Sequence, residues 1–407
     1  MPHAVVIGGS VGGLFAANLL QASGWRVSVV ERTAQDLSDR GASVATTDEL
    51  LRVLRRIDPR TDDSIGVETR SRICMDCCGK VVDEASVDGL LSAWSRIYRP
   101  LKAAFPIANY LTGTGLERVE QAPGEITAIL ADGQRLSADL LVAADGLHST
   151  VRRQLLPGAT PAYAGYVVWR IVLGERQIPP PIHAEIFARM TFCFLDREMV
   201  LCLPVAGAEP RGEHRFQIAW YRPADEAALA DMCTDESGRR HGMSIPPPLI
   251  RRDLIESAKA DAAATLAPQI AELVALAPQP ILQPIFDCET PQMGFDRVAL
   301  LGDAAFVARP HVGAGVTKAA LDAECLTQAL ADHGNDVRSA LADYDQKRQP
   351  AGRRLVARGR HLGAHLGTRI RDGAGPHPDR GWILREYGGA RTIELGGDSG
   401  TDKVVAT

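Results

Sequence analysis

The sequence predicts an α/β protein: a Rossmann-type dinucleotide-binding domain with an inserted antiparallel sheet and C-terminal helices. Three observations carry the prediction. Residues 4–7 form an apolar run that closes on Gly8-Gly9-Ser10-Val11-Gly12-Gly13, and a helical stretch and a second apolar strand follow. That strand–helix–strand order has the length of a parallel crossover around a dinucleotide. Far downstream, a second buried-type run closes on Gly302-Asp303-Ala304-Ala305. Between them, Tyr166 to Tyr221 is a succession of β-branched and aromatic runs, the pattern of a separate sheet.

Each element follows from local pattern. Leu14 to Ala22 reads as a helix ended by Gly24, and Arg26 to Glu31 as the second strand. Apolar residues at 50, 51, 53, 54 and 57 give helical spacing over Glu49 to Ile57. A hairpin is expected over 71–84, then a helix from Ala93 to Phe105 that Pro100 must kink or restart. Ile126 to Leu130 and Arg135 to Ala144 flank Asp132-Gly133 and read as a hairpin. Strands are expected at 166–173, 192–195, 199–204, 215–221, 280–287 and 297–301, with two helical pieces meeting near Pro268. Gly315 to Leu330, Val337 to Gln349 and Gly352 to Leu366 read as helices, and the Gly-, Asp- and Arg-rich end as a loose tail. The expected organisation is discontinuous. Residues 1–160 and 290–366 form the dinucleotide-binding domain, 161–289 a substrate-binding sheet domain, and 367–407 the tail.

Composition narrows the function. The 407 residues carry a net charge of −5 with no basic run, which argues against nucleic acid and anionic membrane as partners. No apolar stretch approaches the roughly 18 residues of a membrane span. Met1-Pro2-His3 leads straight into a strand, without the charged start of a signal peptide, so a cytoplasmic location is expected. Of eight cysteines, Cys74, Cys77 and Cys78 cluster, but no fourth ligand stands at zinc spacing. Reduced thiols and no metal are expected.

The two Gly-containing turns carry the chemistry. In the first, Gly8 makes the tight turn, Ser10 stands where backbone approaches a pyrophosphate, and Gly13 lets helix pack on strand. Gly9 and Gly12 complete the loop, and the following helix N-terminus favours phosphate. Glu31, at the end of the second strand, is placed to accept from a ribose 2′-OH. Asp303 ends a buried strand and can hold a polyol hydroxyl. Gly313 and Gly315, within Pro310-His311-Val312-Gly313-Ala314-Gly315-Val316-Thr317, let backbone lie flat against a ligand at another helix N-terminus. One extended dinucleotide gripped at both places points to FAD. Asp145-Gly146 followed by Ser149 and Arg152 reads as a capped helix start.

The set GGSVGG…ER, DGLHSTVRR and GDAAFVARPHVGAG resembles the FAD-dependent aromatic hydroxylases of the p-hydroxybenzoate hydroxylase type, over about residues 3–365. Tyr163-Ala164-Gly165-Tyr166, Trp169-Arg170 and Arg309-Pro310-His311 look most like the dihydroxypyridine hydroxylase branch. The resemblance implies that Gly8 to Gly13 hold the FAD pyrophosphate and Glu31 the adenosine ribose. It puts Arg32, Arg99 and the Arg40 turn on the cofactor, and the Leu116 backbone at adenine. Asp303 would meet the ribityl and pyrophosphate region, and Gly313, Ala314, Gly315, Val316 and Thr317 the isoalloxazine edge. Asp145 belongs to a motif linked to FAD and NAD(P)H, and the Pro310 carbonyl would face the substrate. Phe306, Thr317 and Gly41-Ala42-Ser43-Val44 depart from the usual pattern.

The implied activity is hydroxylation of an electron-rich aromatic or N-heteroaromatic ring. NAD(P)H binds transiently as co-substrate, and O2 reacts through a flavin C4a-hydroperoxide. The protein must exclude water, hold the ring in line and favour its deprotonated form. His311, beside Pro310, is the favoured base; Cys202, Tyr221 and His214 are the other candidates. Alternation puts Val200, Cys202 and Pro204 on one face of a strand that is expected to wall the substrate site. A simple NAD-dependent dehydrogenase needs no second grip at Gly302-Asp303, and a flavin halogenase's Trp-x-Trp-x-Ile-Pro run is absent. A non-catalytic flavin protein, or an oxidoreductase acting on a non-aromatic substrate, stays open. The oligomer is not fixed, a homodimer being one option.

Overall fold

The computed structural model of the protein describes residues 1–38, 43–207, 209, 212–366 and 380–388. A six-stranded sheet runs in the spatial order Gly294–Phe295, Val298–Leu300, Leu140–Ala143, His3–Ile7, Arg26–Glu31, Tyr110–Thr112. All neighbours are parallel except the first pair. Its inner strands are buried on both faces, which is why they read as unbroken apolar runs. The helices Val11–Ala22 and Gly315–Asp332 pack together on this sheet.

The expected hairpin strand Arg135 to Ala144 is two strands. Arg135–Ala138 pairs with Glu125–Leu130 in a three-stranded sheet, whereas Leu140–Ala143 lies beside His3–Ile7. Asp139 is the pivot: its carboxylate accepts from the His3 amide at 2.8 Å, and its amide donates to the His3 carbonyl at 2.9 Å.

The second sheet has eight strands: Ile281–Asp287, Ala162–Gly174, Arg215–Pro223, Met199–Val205, Met190–Phe194, Gly66–Met75, Val81–Ala93 and Ser43–Ala45. It is antiparallel apart from the pair Met190–Phe194 with Gly66–Met75. It therefore extends beyond the expected 161–289 segment, because three strands come from before residue 94. Local pattern identified that hairpin but not its partner across the chain. One face packs against the helices Arg252–Thr265, Pro268–Leu276 and Pro180–Ile186; the other faces a deep cleft.

Two further differences concern the C-terminal end. Val337–Leu362 is one helix with Pro350 inside it, where two were expected. An internal proline costs roughly 3 kcal/mol, and burial of Tyr344, Ala351, Leu355 and Val356 offsets it. Gly352 lets the helix seat: a Cβ there would come 2.3 Å from the Phe306 ring. Within the expected loose tail, Arg380–Glu386 is a helix that buries Ile383, Leu384 and the following Tyr387.

Candidate functional site

Three adjacent parallel strands, His3–Ile7, Leu140–Ala143 and Val298–Leu300, end side by side. Their carboxyl ends release Gly8, Ala144-Asp145 and Gly302-Asp303 at one edge, where open α/β sheets bind ligands. Motifs distant in sequence thus line one cavity of about 1370 Å³. That exceeds the roughly 300–1,000 Å³ of a typical small-ligand site.

The first loop admits only glycine at two points. Gly8 has φ +106°, and a Cβ on Gly13 would stand 1.8 Å from the Gly8 carbonyl. Ser10 and Gly12 line the cavity, and Ser10 starts the helix without a side-chain cap. The Gly315–Asp332 helix likewise starts at Ala314 uncapped, with no acid in its first turn. Helices starting after Thr47, Ser149 and Asp225 are capped by those side chains. Both uncapped ends face the cavity, leaving N–H groups directed at an anion.

Asp303 is open to this cleft. Its surroundings are otherwise dry, which raises its carboxyl above the usual range, while Lys318 pulls it back. The turn beneath is fixed by Asp322, which accepts from the Gly302 amide at 3.1 Å, Arg348 at 2.7 Å and Lys318 at 3.4 Å. Arg152, fully buried, donates to the carbonyls of Ala304 (3.0 Å), Ala159 (3.1 Å), Asp303 (3.3 Å) and Leu147. It ties the second motif to the third. Asp145 does not line the cavity; one carboxylate oxygen caps Thr150 at 2.7 Å, and the other is buried with no hydrogen-bond partner. Burial raises this carboxyl too.

Glu31, Arg32 and Leu116 are not among the cavity-lining residues; Glu31 accepts from the Gly9 amide at 2.8 Å and the Thr33 amide at 2.9 Å. A Cβ on Gly115 would lie 3.3 Å from that of Arg32, so Glu31, Arg32 and the Leu116 segment share one corner. Arg99 pairs with Glu209 and is not among the cavity-lining residues. Arg40 lies outside the described residues.

The Pro310–Thr317 loop separates into lining and buried positions. Pro310, Gly313, Ala314, Gly315 and Val316 line the cavity; the Pro310 carbonyl accepts from the Gly313 amide at 3.0 Å. The Thr317 side chain is fully buried and meets Thr47, which borders the cavity, at 3.4 Å. His311 is also fully buried, its Nε2 2.7 Å from the Tyr166 hydroxyl and its Nδ1 3.3 Å from that of Tyr387. The expectation that His311 meets the substrate is therefore corrected: the loop's backbone turns its ring inward. Tyr221 does line the cavity, and its hydroxyl lies 2.9 Å from that of Tyr387. Burial raises the Tyr221 phenol.

Cys202 is likewise corrected. It packs on the helix-covered face with Ile73, Val200 and Trp220, whereas Leu201 and Leu203 wall the cavity. Both faces are buried, so alternation separated them without telling which is the wall. Burial pushes the Cys202 thiol well up. His214 sits in a different, shallow depression with Glu175 and His183.

Sequence reasoning missed Arg170, Tyr387 and the clamp role of Arg152. Arg170 is nearly buried on the cavity wall and donates to Gln283 at 2.6 Å and Gln217 at 3.1 Å. Its signal was a charged residue at an inward position of an apolar strand. Tyr387 had no signal, since polar composition hid the segment that delivers it. Among the described residues, no group of three or more His, Cys, Asp or Glu is placed to hold a metal, and no helix is long and apolar enough to cross a membrane.

The residues fit FAD: uncapped helix ends for phosphates, an open carboxylate for a polyol, and glycines where the cavity wall must stay flat. Gly315 makes the point, since a Cβ there would meet nothing within 4 Å. The fold and site define an FAD-dependent oxidoreductase. The family described as "FAD binding domain" matches residues 286–359, and "FAD binding domain-like" matches 163–287. The chain is 30% identical over 368 residues to 2,6-dihydroxypyridine 3-monooxygenase of Paenarthrobacter nicotinovorans, covering 89% of this chain and 90% of that one. The solved 2,6-dihydroxypyridine-3-hydroxylase from Arthrobacter nicotinovorans is similar at a TM-score of 0.85 and 28% identity, covering 91% and 95% of the two chains. Klebsiella pneumoniae HpxO, complexed with FAD and uric acid, shares the fold at a TM-score of 0.73 and 23% identity, covering 96% and 95%. The chain belongs to the FAD-dependent aromatic-ring monooxygenases of the p-hydroxybenzoate hydroxylase type.

Proposed function

We propose that this monooxygenase hydroxylates a hydroxypyridine or a closely related electron-rich ring, using NAD(P)H and O2. One observation carries the reading: the cavity that begins at the uncapped helix ends and Asp303 continues into a slot walled by Met190, Leu201, Leu203 and Ala219, with Tyr221 and Arg170 at its edge. An apolar wall with few polar groups suits a small ring. In this reading Gly8 to Gly13 hold the FAD pyrophosphate, Glu31, Arg32 and Leu116 the adenosine end, and Asp303 the ribityl chain. Pro310 and Gly313 to Val316 back the isoalloxazine. Bound there, FAD supplies hydride acceptance and oxygen activation.

The chain's own tasks are orientation, exclusion of water and movement of a proton. The apolar walls and the Tyr387 segment keep the slot dry. A proton from the ring hydroxyl passes to the Tyr221 oxygen, on to the Tyr387 oxygen, and then to Nδ1 of His311, whose Nε2 faces Tyr166. His311 is thus a relay end rather than the base that touches substrate. Over one turnover, one oxygen atom enters the ring and the other leaves as water, with NAD(P)H oxidised. The reading includes a cytoplasmic enzyme and leaves a homodimer to light scattering.

A panel of hydroxypyridines and phenols, scored for stimulated NAD(P)H oxidation and hydroxylated product, tests this. The expected outcome is product with at least one dihydroxypyridine. Flavin binding without product from any ring supports a non-catalytic flavin protein instead.

A further inference from the structure

We propose that Arg170 is the anion anchor of the ring subsite, so that the substrate is held as its oxyanion by a buried guanidinium that the protein leaves without a carboxylate. The inference rests on the ring-monooxygenase reading and names the charge state that its site selects.

Arg170 lies on the strand Ala162–Gly174, whose Tyr166 and Val168 share its face while Trp169 and Ile171 point into the helix-covered core. It is 9% exposed, and the cavity is where it is exposed. Its side-chain partners are the neutral amide oxygens of Gln217 and Gln283. The comparison with the other buried arginines is direct. Arg348 pairs with Asp322, and the half-buried Arg309 with Asp287. Arg96 and Arg152 donate to backbone carbonyls, and Arg72 does so through one nitrogen while its Nε is left without a partner. Among the described residues, no carboxylate pairs with Arg170. Burying an uncompensated charge is costly, and such groups are normally paired. A ligand anion would complete the pair, and the two glutamines aim the guanidinium without quenching it.

The position is right for the chemistry. Gln217 also accepts from the Ser43 amide at 3.3 Å, and Ala45 of that short strand lies against the Gly313 turn. Arg170 is therefore linked through a single strand to the loop that backs the flavin. Burial lowers its pKa, while the neighbouring Tyr221 and Tyr387 hydroxyls act to raise it. A cation beside a ring hydroxyl favours the ionised form and keeps the ring electron-rich. This removes the need for a strong base in the slot, where neither His311 nor Cys202 reaches.

The test compares FAD-loaded wild type with Arg170→Met by flavin absorbance, titrating 2,6-dihydroxypyridine and its uncharged dimethyl ether. Affinity for the dihydroxypyridine is expected to fall about ten- to a hundredfold, the weight of a charged hydrogen bond. Affinity for the ether should stay within about threefold, a difference below 1 kcal/mol. Equal affinity of both proteins for the dihydroxypyridine overturns the anchor and leaves ring hydroxylation standing. An equal loss for both ligands also overturns it, since that marks a purely structural role. If Arg170→Met does not retain FAD, Gln217→Glu supplies the missing carboxylate with the arginine intact, and the same selective loss is expected. Wild-type holoenzyme that neither binds nor hydroxylates any ring in the panel overturns the ring-hydroxylase reading and the anchor with it.

Discussion

Asp303, the proposed ribityl contact, shows what such a carboxylate costs a protein without its cofactor. Its carboxyl is raised on folding, chiefly by burial. A raised acid destabilises the fold as pH climbs from the unfolded carboxylate value through the folded one, because the unfolded chain then gives up its proton more readily. Asp303→Asn should therefore melt at or above wild type as apo protein at pH 7, with the difference closing near about pH 4. The same variant should lose most of its FAD, read from the flavin absorbance of purified protein. A variant that melts below wild type and keeps its flavin would overturn this account. At this scale the sequence was legible where backbone mattered. Gly8 and Gly13 are required by φ and by close contact, and both requirements leave a trace in residue type. It was illegible where side-chain direction mattered. His311 and Pro310 are neighbours in sequence, yet only Pro310 lines the cavity.

The helix Arg380–Glu386 is the element that pattern reading overlooked. Seven residues cannot hold a helix alone in water, so it exists by docking. Ile383 and Leu384 are buried, each worth about 1.5–3 kcal/mol. Arg72 donates to the carbonyls of Leu384 and Arg385, at the helix end where a cation is favoured. Arg358 pairs with Glu386, and the Gly388 amide donates to the His311 carbonyl at 2.9 Å. A chain truncated before Arg380 is expected to keep FAD but waste reductant. Hydroxylated product formed per NAD(P)H should fall several-fold, because the slot loses the wall that carries Tyr387. Undiminished coupling would show that this helix is dispensable. The element was hidden by composition: its neighbours are glycine-rich and polar, and its apolar face is too short to set a period.

For the whole molecule, the decisive arrangement is the alignment of three strand ends. In the proposed placement one dinucleotide touches all three, and because it binds the native state and not the unfolded chain it should stabilise the fold as a unit. At a hundredfold excess over Kd, FAD contributes about 2.7 kcal/mol, which corresponds to a Tm rise of roughly 3–8 °C for a chain of this size. Thermal melts with and without added FAD check this, and an unchanged Tm would argue against a shared site. The same arrangement explains why the expected boundaries at 161 and 289 did not contain the eight-stranded sheet. Its strands Gly66–Met75 and Val81–Ala93 were legible as a hairpin, but their neighbour Met190–Phe194 comes from far along the chain.

The sequence by itself determined the class of protein. Turn chemistry, buried strands and helix starts are local, and GGSVGG, DGLHST and GDAAF each record what their own backbone must do. Tertiary structure alone decided the lining of the proposed ring site. Which face of Met199–Val205 walls the cavity, which way His311 points, and the arrival of Tyr387 beside Tyr221 all depend on contacts between distant segments. So does the setting of Arg170, which among the described residues meets amide oxygens and no carboxylate, because a charge's partners depend on everything packed around it.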